Sequence, residues 1–410
     1  MLPALSSLLL ALAAIVLLAA LARALFVRLG LPGVAGEILL GVALGPSLLG
    51  WAAPGLHDAL FPSSNQAVMD MLSWVGLALF VFQVGLEMRW TPGNGRRVAG
   101  LATGGLLVPL VAGTALPMLA PAWFFATRAE GAVPPAADLL VGIALTVSAL
   151  PVLARILEDI GRARDPFGSL VLAAATIDDV VGWLLLAVVS LALTGTGFGA
   201  ALGGFTVAAV AAVLLVVAAR LAYRRLHALK PSQATLVGAL ALAFAAGALT
   251  HWAGLNAVLG PLAVGAALSQ HPALRDDLDE RLRNVTRVLL LPIFFVASGA
   301  AVDLTHLGAG ALLVPLLVTA CVATGAKLLG CGLGARAAGL SGRESWAAGS
   351  LLSARGAVGL VVVRVGKDVG VLSDAGYGML VLTVALTTLA SPLLARLALG
   401  KPIAADASPP

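Results

Sequence analysis

The chain has 410 residues, of which 60% are hydrophobic and 11% charged, with a formal net charge of +5 and a mean hydropathy of +1.03. Soluble domains carry about 25% charged residues, so this composition leaves too little polar surface to face water. The apolar residues form runs of about 20, the length that crosses a bilayer, and not the short alternating segments of an outer-membrane barrel, so both a soluble protein and a barrel are excluded.

From the N-terminus, these runs and their Gly, Pro and polar breaks predict an all-α integral membrane protein of about thirteen transmembrane helices. Residues 4–27 come first, and the absence of a basic leader or a cleavage site marks them as a retained span. Spans at 32–50, 66–88, 97–121, 137–160 and 167–194 follow. Residues 195–232 hold a linker helix at 199–220 and a cytoplasmic loop. The remaining spans are 233–251, 254–270, 285–303, 308–335, 345–366 and 374–397, and residues 398–410 form a short cytoplasmic tail.

Lys and Arg fall unevenly between the two sides. One set of loops carries Arg23 and Arg28, then Arg89, Arg96 and Arg97, then Arg155, Arg162 and Arg164, and so on through Arg396 and Lys401. Twenty of the 25 basic residues lie on that side, and only Arg128, Arg364 and Lys367 on the other. The positive-inside bias then places the protein in an inner membrane, N-terminus outside and C-terminus in the cytoplasm. The charge is thus a topology signal, and no nucleic-acid partner is expected.

Residues 1–194 and 233–397 each hold six spans. Corresponding spans differ by seven in order, an odd number, so the two six-helix sets enter the membrane in opposite senses. Inverted repeats of this kind place a transporter's site at their interface. The fifth helix of each set looks interrupted. One reads Ala144-Leu145-Thr146-Val147-Ser148-Ala149-Leu150-Pro151, where the proline removes a backbone hydrogen bond; the other reads Ser353-Ala354-Arg355-Gly356-Ala357, with Gly356 as its weak point. Paired breaks leave carbonyls and half-helix ends free to face an ion. Ordinary Pro and Gly kinks are the bland alternative.

Span six contains Asp178 and Asp179, about 18 Å from Pro166 at the helical rise. Intramembrane acids default to functional sites because each costs about 2.5–3.5 kcal/mol to insert. Two adjacent carboxylates held from water let a proton and a small cation compete for the same oxygens. Lys327 is the lone deep lysine, able either to snorkel to the interface or to pair with Asp178. Arg355 is placed to balance the carbonyls of its own break. An intramembrane enzyme with a divalent metal would need further acids or histidines, yet His57, His227, His251, His271 and His306 all fall near interfaces or loops. Cys321 and Cys331 suggest neither a disulfide nor a zinc site. No cofactor and no catalytic residue are expected.

Four segments together resemble the monovalent cation:proton antiporter-2 family, with a Kef/CHX-like transmembrane domain. They are Gly36-Glu37-Ile38 through Gly45-Pro46-Ser47, Ile177-Asp178-Asp179-Val180, Pro292-Ile293-Phe294-Phe295-Val296 and Ala354-Arg355-Gly356-Ala357. The resemblance implies a sodium or potassium/proton exchanger, with a core of crossed broken helices moving against a dimerisation domain in a homodimer. It implies that Asp179 carries the monovalent cation and the proton, that Asp178 pairs with Lys327, and that Thr146 and Ser148 help line the site. The two-acid form implies electrogenic exchange. A potassium efflux system or a carrier of another small cation is the alternative. Two departures stand out: Ala357, Val358 and Gly359 stand where many relatives carry an acid, and the chain ends 13 residues after the last span, so no nucleotide-binding domain of the Kef type is expected.

Overall fold

The computed structural model describes residues 2–87, 95–125, 135–149, 152–153, 156–157, 162, 165–193, 231–252, 257–269, 271–303 and 309–399. Those residues form helices joined by turns, with no strand among them. They run as α1 (Leu2–Arg28), α2 (Gly33–Leu44) with a π turn at Pro46–Gly50, α3 (Pro54–Leu60), α4 (Ser63–Glu87), α5 (Gly95–Leu119), α6 (Pro135–Ala144) and α7 (Pro166–Leu193). The second half gives α8 (Gln233–Trp252), α9 (Leu259–Leu268), α10 (Pro272–Asn284), α11 (Leu291–Ala300), α12 (Ala309–Ala337), α13 (Gly342–Leu352), α14 (Ala357–Asp368) and α15 (Asp374–Leu399). Among the described residues, nine helical stretches are long and apolar enough to cross a membrane, and α6 and α9 are shorter apolar helices. The predicted span 199–220 lies outside the described residues, and the count of about thirteen stays an expectation.

One difference from the sequence reading has a clear cause. Residues 272–284 hold eight Asp, Glu, Arg and Asn side chains and read as a loop, but they form α10, which continues through a π turn (Val285–Leu290) into α11. Pro272 opens the helix, and the His271 ring accepts a hydrogen bond from the Leu274 amide at 3.4 Å. Leu274, Leu278 and Leu282 recur every four residues and are buried, so most of the charges occupy the opposite face, Asp279 alone among them being buried with the leucines. Another helix unforeseen from the sequence, α3, is only seven residues long.

The fold divides into two compact units, each drawing on both halves of the chain. The first comprises Met1–Leu17, Asp58–Trp90 and Trp183–Ala297. Here α4 packs on α8, α9 and α10 through Phe82, Leu86, Ala243, Val264 and Leu278. Gln83 lies buried in that seam and donates to the Asp279 carboxylate at 3.0 Å, which also pairs with Arg283.

The second unit comprises Leu18–His57, Thr91–Gly182 and Ser298–Pro410. Its core runs from Leu101 through Val171 and Cys331 to Leu351 and Ala395. The tightest seam is between α5 and α12. A Cβ on Gly104 would overlap the Gly330 carbonyl, and one on Gly330 would overlap the Gly104 carbonyl, so the backbones meet as only glycines allow.

Candidate functional site

The second unit holds both predicted interruptions. α6 ends at Ala144, and residues 145–149 are not helical. The break therefore begins several residues before Pro151, which itself lies outside the described residues. In the other broken helix α13 ends at Leu352 and α14 begins at Ala357, with Ser353–Gly356 between them. The first half is well started, as Ser341 and Glu344 form a reciprocal capping box at the start of α13.

The two breaks touch. The Ala149 amide donates to the Ala354 carbonyl at 3.0 Å. Gly356 permits the approach, because a Cβ there would lie 2.8 Å from that of Ala149. Backbone groups released by one helix are thus satisfied by the other, as a hydrocarbon interior requires.

Asp178 and Asp179 sit in α7, each 1% exposed. The helix is anchored well away from them, where Asp165 accepts the Gly168 amide at 2.6 Å. One oxygen of Asp178, Oδ2, accepts from the Lys327 ammonium and from the Ser148 hydroxyl, the latter at 2.7 Å. The other, Oδ1, is buried without a hydrogen-bond partner among the described residues. Asp179 follows on the same turn, and successive helical residues face different directions.

Lys327, fully buried, does not snorkel. Its three donors are all used, on Asp178 and on the carbonyls of Gly105 and Thr146 at 2.8 Å each. The lysine therefore joins α12 to α5, to the first break and to α7. Thr146 enters through its carbonyl only, since its hydroxyl donates back to Gly142 at 2.6 Å. Ser148 has a second acceptor, the Leu352 carbonyl at the end of α13, also at 2.7 Å. With one hydroxyl proton it donates to the carboxylate or to the Leu352 carbonyl, one at a time.

Arg355 does not reach the carboxylates by a hydrogen bond. It is buried in the second break and donates to the carbonyls of Leu145, Ala323 and Ser353, the Ala323 contact being 3.1 Å. Its positive charge thus lies against the carbonyl ends that both interruptions expose. Two further residues, absent from the sequence reading, reach the second break from α15. The Thr388 hydroxyl accepts the Arg355 amide at 3.2 Å and donates to the Arg355 carbonyl, and Ser391 donates to the Ser350 carbonyl at 2.8 Å. Their spacing of three places both on one face of α15, the only signal the sequence offered. Among the described residues no three His, Cys, Asp or Glu side chains gather as a multivalent metal would need.

Comparison with known proteins gives this arrangement a family. The family model described as "Sodium/hydrogen exchanger, transmembrane" matches residues 14–396. The chain belongs to that family. The sodium/hydrogen exchangers are transporters and not enzymes, and this member is a multi-pass membrane protein. The Na(+)/H(+) antiporter NhaS4 of Synechocystis sp. is 33% identical over 407 residues, covering 96% of this chain and 98% of that protein. Cation/H(+) antiporter 18 of Arabidopsis thaliana is 31% identical over 369 residues, 87% of this chain but 44% of that protein, so the chain spans less than half of this plant relative. The fold is shared with the sodium proton antiporter MjNhaP1 from Methanocaldococcus jannaschii, with a TM-score of 0.68, 18% identity, and coverage of 95% of this chain and 97% of that one.

Proposed function

We propose that this exchanger trades a monovalent cation, sodium or potassium, for protons by alternating access, with both ligands competing for the Asp178–Asp179 pair. One observation carries the reading: two neighbouring carboxylates are buried beside the crossing of two broken helices, and one of them is tied to a buried lysine. An inserted acid costs several kcal/mol, and a protein retains two of them at mid-depth where the charge is used.

The chemistry assigns separate roles. Lys327 and Ser148 hold Oδ2 of Asp178, so this carboxylate keeps its charge balanced whichever ligand is bound. Asp179 is the carrier that the resemblance to the antiporter-2 family implies, binding either a proton or the cation. Oδ1 of Asp178 supplies a further oxygen of the hard kind that sodium and potassium take. Because both ligands need the same carboxylate, loading one expels the other, and this exclusion couples the two fluxes. Arg355 offsets the carbonyl ends of the half-helices, which would otherwise attract the cation away from the acids.

The broader architecture follows the same reading. The sets 4–194 and 233–397 act as inverted repeats, with the breaks in corresponding helices as support. The N-terminus lies outside and the C-terminus in the cytoplasm of an inner membrane, supported by the bias of basic residues. The working form is a homodimer, which the resemblance to the antiporter-2 family implies.

The test is proton flux in inverted membrane vesicles, with sodium, potassium and lithium added in turn to a preformed pH gradient. A cation is expected to collapse the gradient, and Asp179→Asn to abolish the response while the protein stays folded. If no monovalent cation moves protons, antiport is wrong. Imposing a membrane potential in proteoliposomes reads the electrogenic exchange expected of the two-acid form.

A further inference from the structure

We propose that Thr388 and Ser391 of α15 are positioning residues for the ion site, acting through the second break and Arg355. The inference rests on the antiport reading. In a break of four residues the backbone has left its own helix, and its N–H and C=O groups need partners that the same helix cannot supply. At Ser353–Gly356 the Ser353 and Ala354 amides still bond carbonyls of α13, but the Ala354 carbonyl and both backbone groups of Arg355 are served from outside. The Thr388 hydroxyl grips both backbone groups of Arg355, accepting the amide at 3.2 Å and donating to the carbonyl. One helical turn on, Ser391 donates to the Ser350 carbonyl at 2.8 Å and lies 3.4 Å from that of Leu351, the last turn of α13. Thr388 and Ser391 are fully buried, so no water competes for them.

The grip matters because of what Arg355 holds in turn. With its backbone fixed by Thr388, the guanidinium reaches the Leu145 carbonyl in the first break and the Ala323 carbonyl of α12, one turn before Lys327. The Leu352 carbonyl, between the Ser391 and Thr388 contacts, lies 2.7 Å from the Ser148 hydroxyl, whose single proton serves either that carbonyl or Asp178. Two short paths therefore run from α15 toward the ion site. One passes through Arg355 to the first break, the other along the end of α13 to the two acceptors that share the Ser148 proton. Neither hydroxyl touches the acids, so each shapes the site without binding the ion.

Hydroxyls on membrane helices often serve only their own helix by bonding the carbonyl four residues back, and Thr388 does have the Val384 carbonyl at 2.7 Å. The amide of Arg355 is what this ordinary role does not explain, since it requires Thr388 to accept as well as donate.

The test compares Thr388→Val, which keeps the shape and loses the hydroxyl, with Thr388→Ser, which keeps the hydroxyl, in purified protein reconstituted in proteoliposomes. Half-saturating cation concentration and maximal rate per folded molecule are read separately, with the pH profile. Thr388→Val is expected to raise the half-saturating concentration about tenfold and shift the pH profile, because a buried amide and carbonyl lose their partner. Thr388→Ser should restore both. A purely structural role would lower the yield of folded protein and leave the half-saturating concentration unchanged, and that result overturns the inference. Should Thr388→Val fail to fold, Ser391→Ala decides: a raised half-saturating concentration supports positioning, and a wild-type value sinks it. If wild-type protein moves no protons with any cation, the antiport reading itself falls. If the wild type is active and these variants match it, only the positioning role falls.

Discussion

Replacing Lys327 by methionine isolates the ion pair at the centre of the second unit. The methionine keeps an unbranched stem of similar length, so packing against α5 is retained while the charge is lost. What remains is the Asp178 carboxylate, 1% exposed, with the carbonyls of Gly105 and Thr146 that the ammonium had met at 2.8 Å. Deleting one partner of a buried pair costs about 3–5 kcal/mol, because the surviving charge is stranded. Removing both partners strands no charge. Lys327→Met is therefore expected to lower unfolding stability by about 3–5 kcal/mol, and adding Asp178→Asn to recover much of that loss. Equilibrium unfolding of the four proteins in detergent, as a double-mutant cycle, gives the coupling directly. Strictly additive losses would show that the two side chains do not depend on each other. A Lys327→Met protein as stable as wild type would show that the buried pair is not what balances Asp178.

Two more outcomes follow from the packing. Gly330→Ala drives a methyl group into the Gly104 carbonyl and is expected to cost about 1–3 kcal/mol, measured by thermal unfolding. Gly325→Ala, in the same helix with nothing within 4 Å of the new atom, should be neutral or stabilising by up to about 1 kcal/mol. In the first unit, Gln83→Leu removes the donor at 3.0 Å from the buried Asp279 carboxylate and should cost about 1–3 kcal/mol, read by the same unfolding measurement.

Long apolar helices were the most legible part of the sequence, because lipid demands both a length and a composition. Spans expected at 4–27, 97–121, 167–194 and 374–397 correspond to α1, α5, α7 and α15 within a few residues. The error at 272–284 has the opposite origin. A helix that buries a leucine at every fourth position and carries most of its charge on the other face looks like a loop to any reading based on average hydropathy. Hydrophobic periodicity was the right signal there, and Leu274, Leu278 and Leu282 carried it. The breaks were legible in part. Gly356 lies within the second, and the segment Ala144–Pro151 contains the residues that leave the helix, 145–149, although Pro151 is not where the break begins. A proline locates where a helix is weak, but the unwound stretch is set by which carbonyls find outside donors, and these come from Lys327 and Arg355.

The site itself divides along a similar line. Charged groups deep in a span announce themselves, since each carries a cost that needs a reason, and Asp178, Asp179, Lys327 and Arg355 were visible on that ground alone. Hydroxyls carry no such signal. Threonine and serine are tolerated throughout membrane helices because the carbonyl four residues back satisfies them, as Thr146 does with Gly142 and Thr383 with Met379. Only three-dimensional proximity separates those from Thr388, whose oxygen also receives an amide from another helix. The same limit applies to acceptors. Nothing in the sequence singles out the carbonyl of Gly105, yet it meets the buried lysine because the glycines on either side of the α5–α12 seam let the backbones close. In this fold the charges define where chemistry is possible, and small or hydroxylated neighbours fix the geometry that makes it specific.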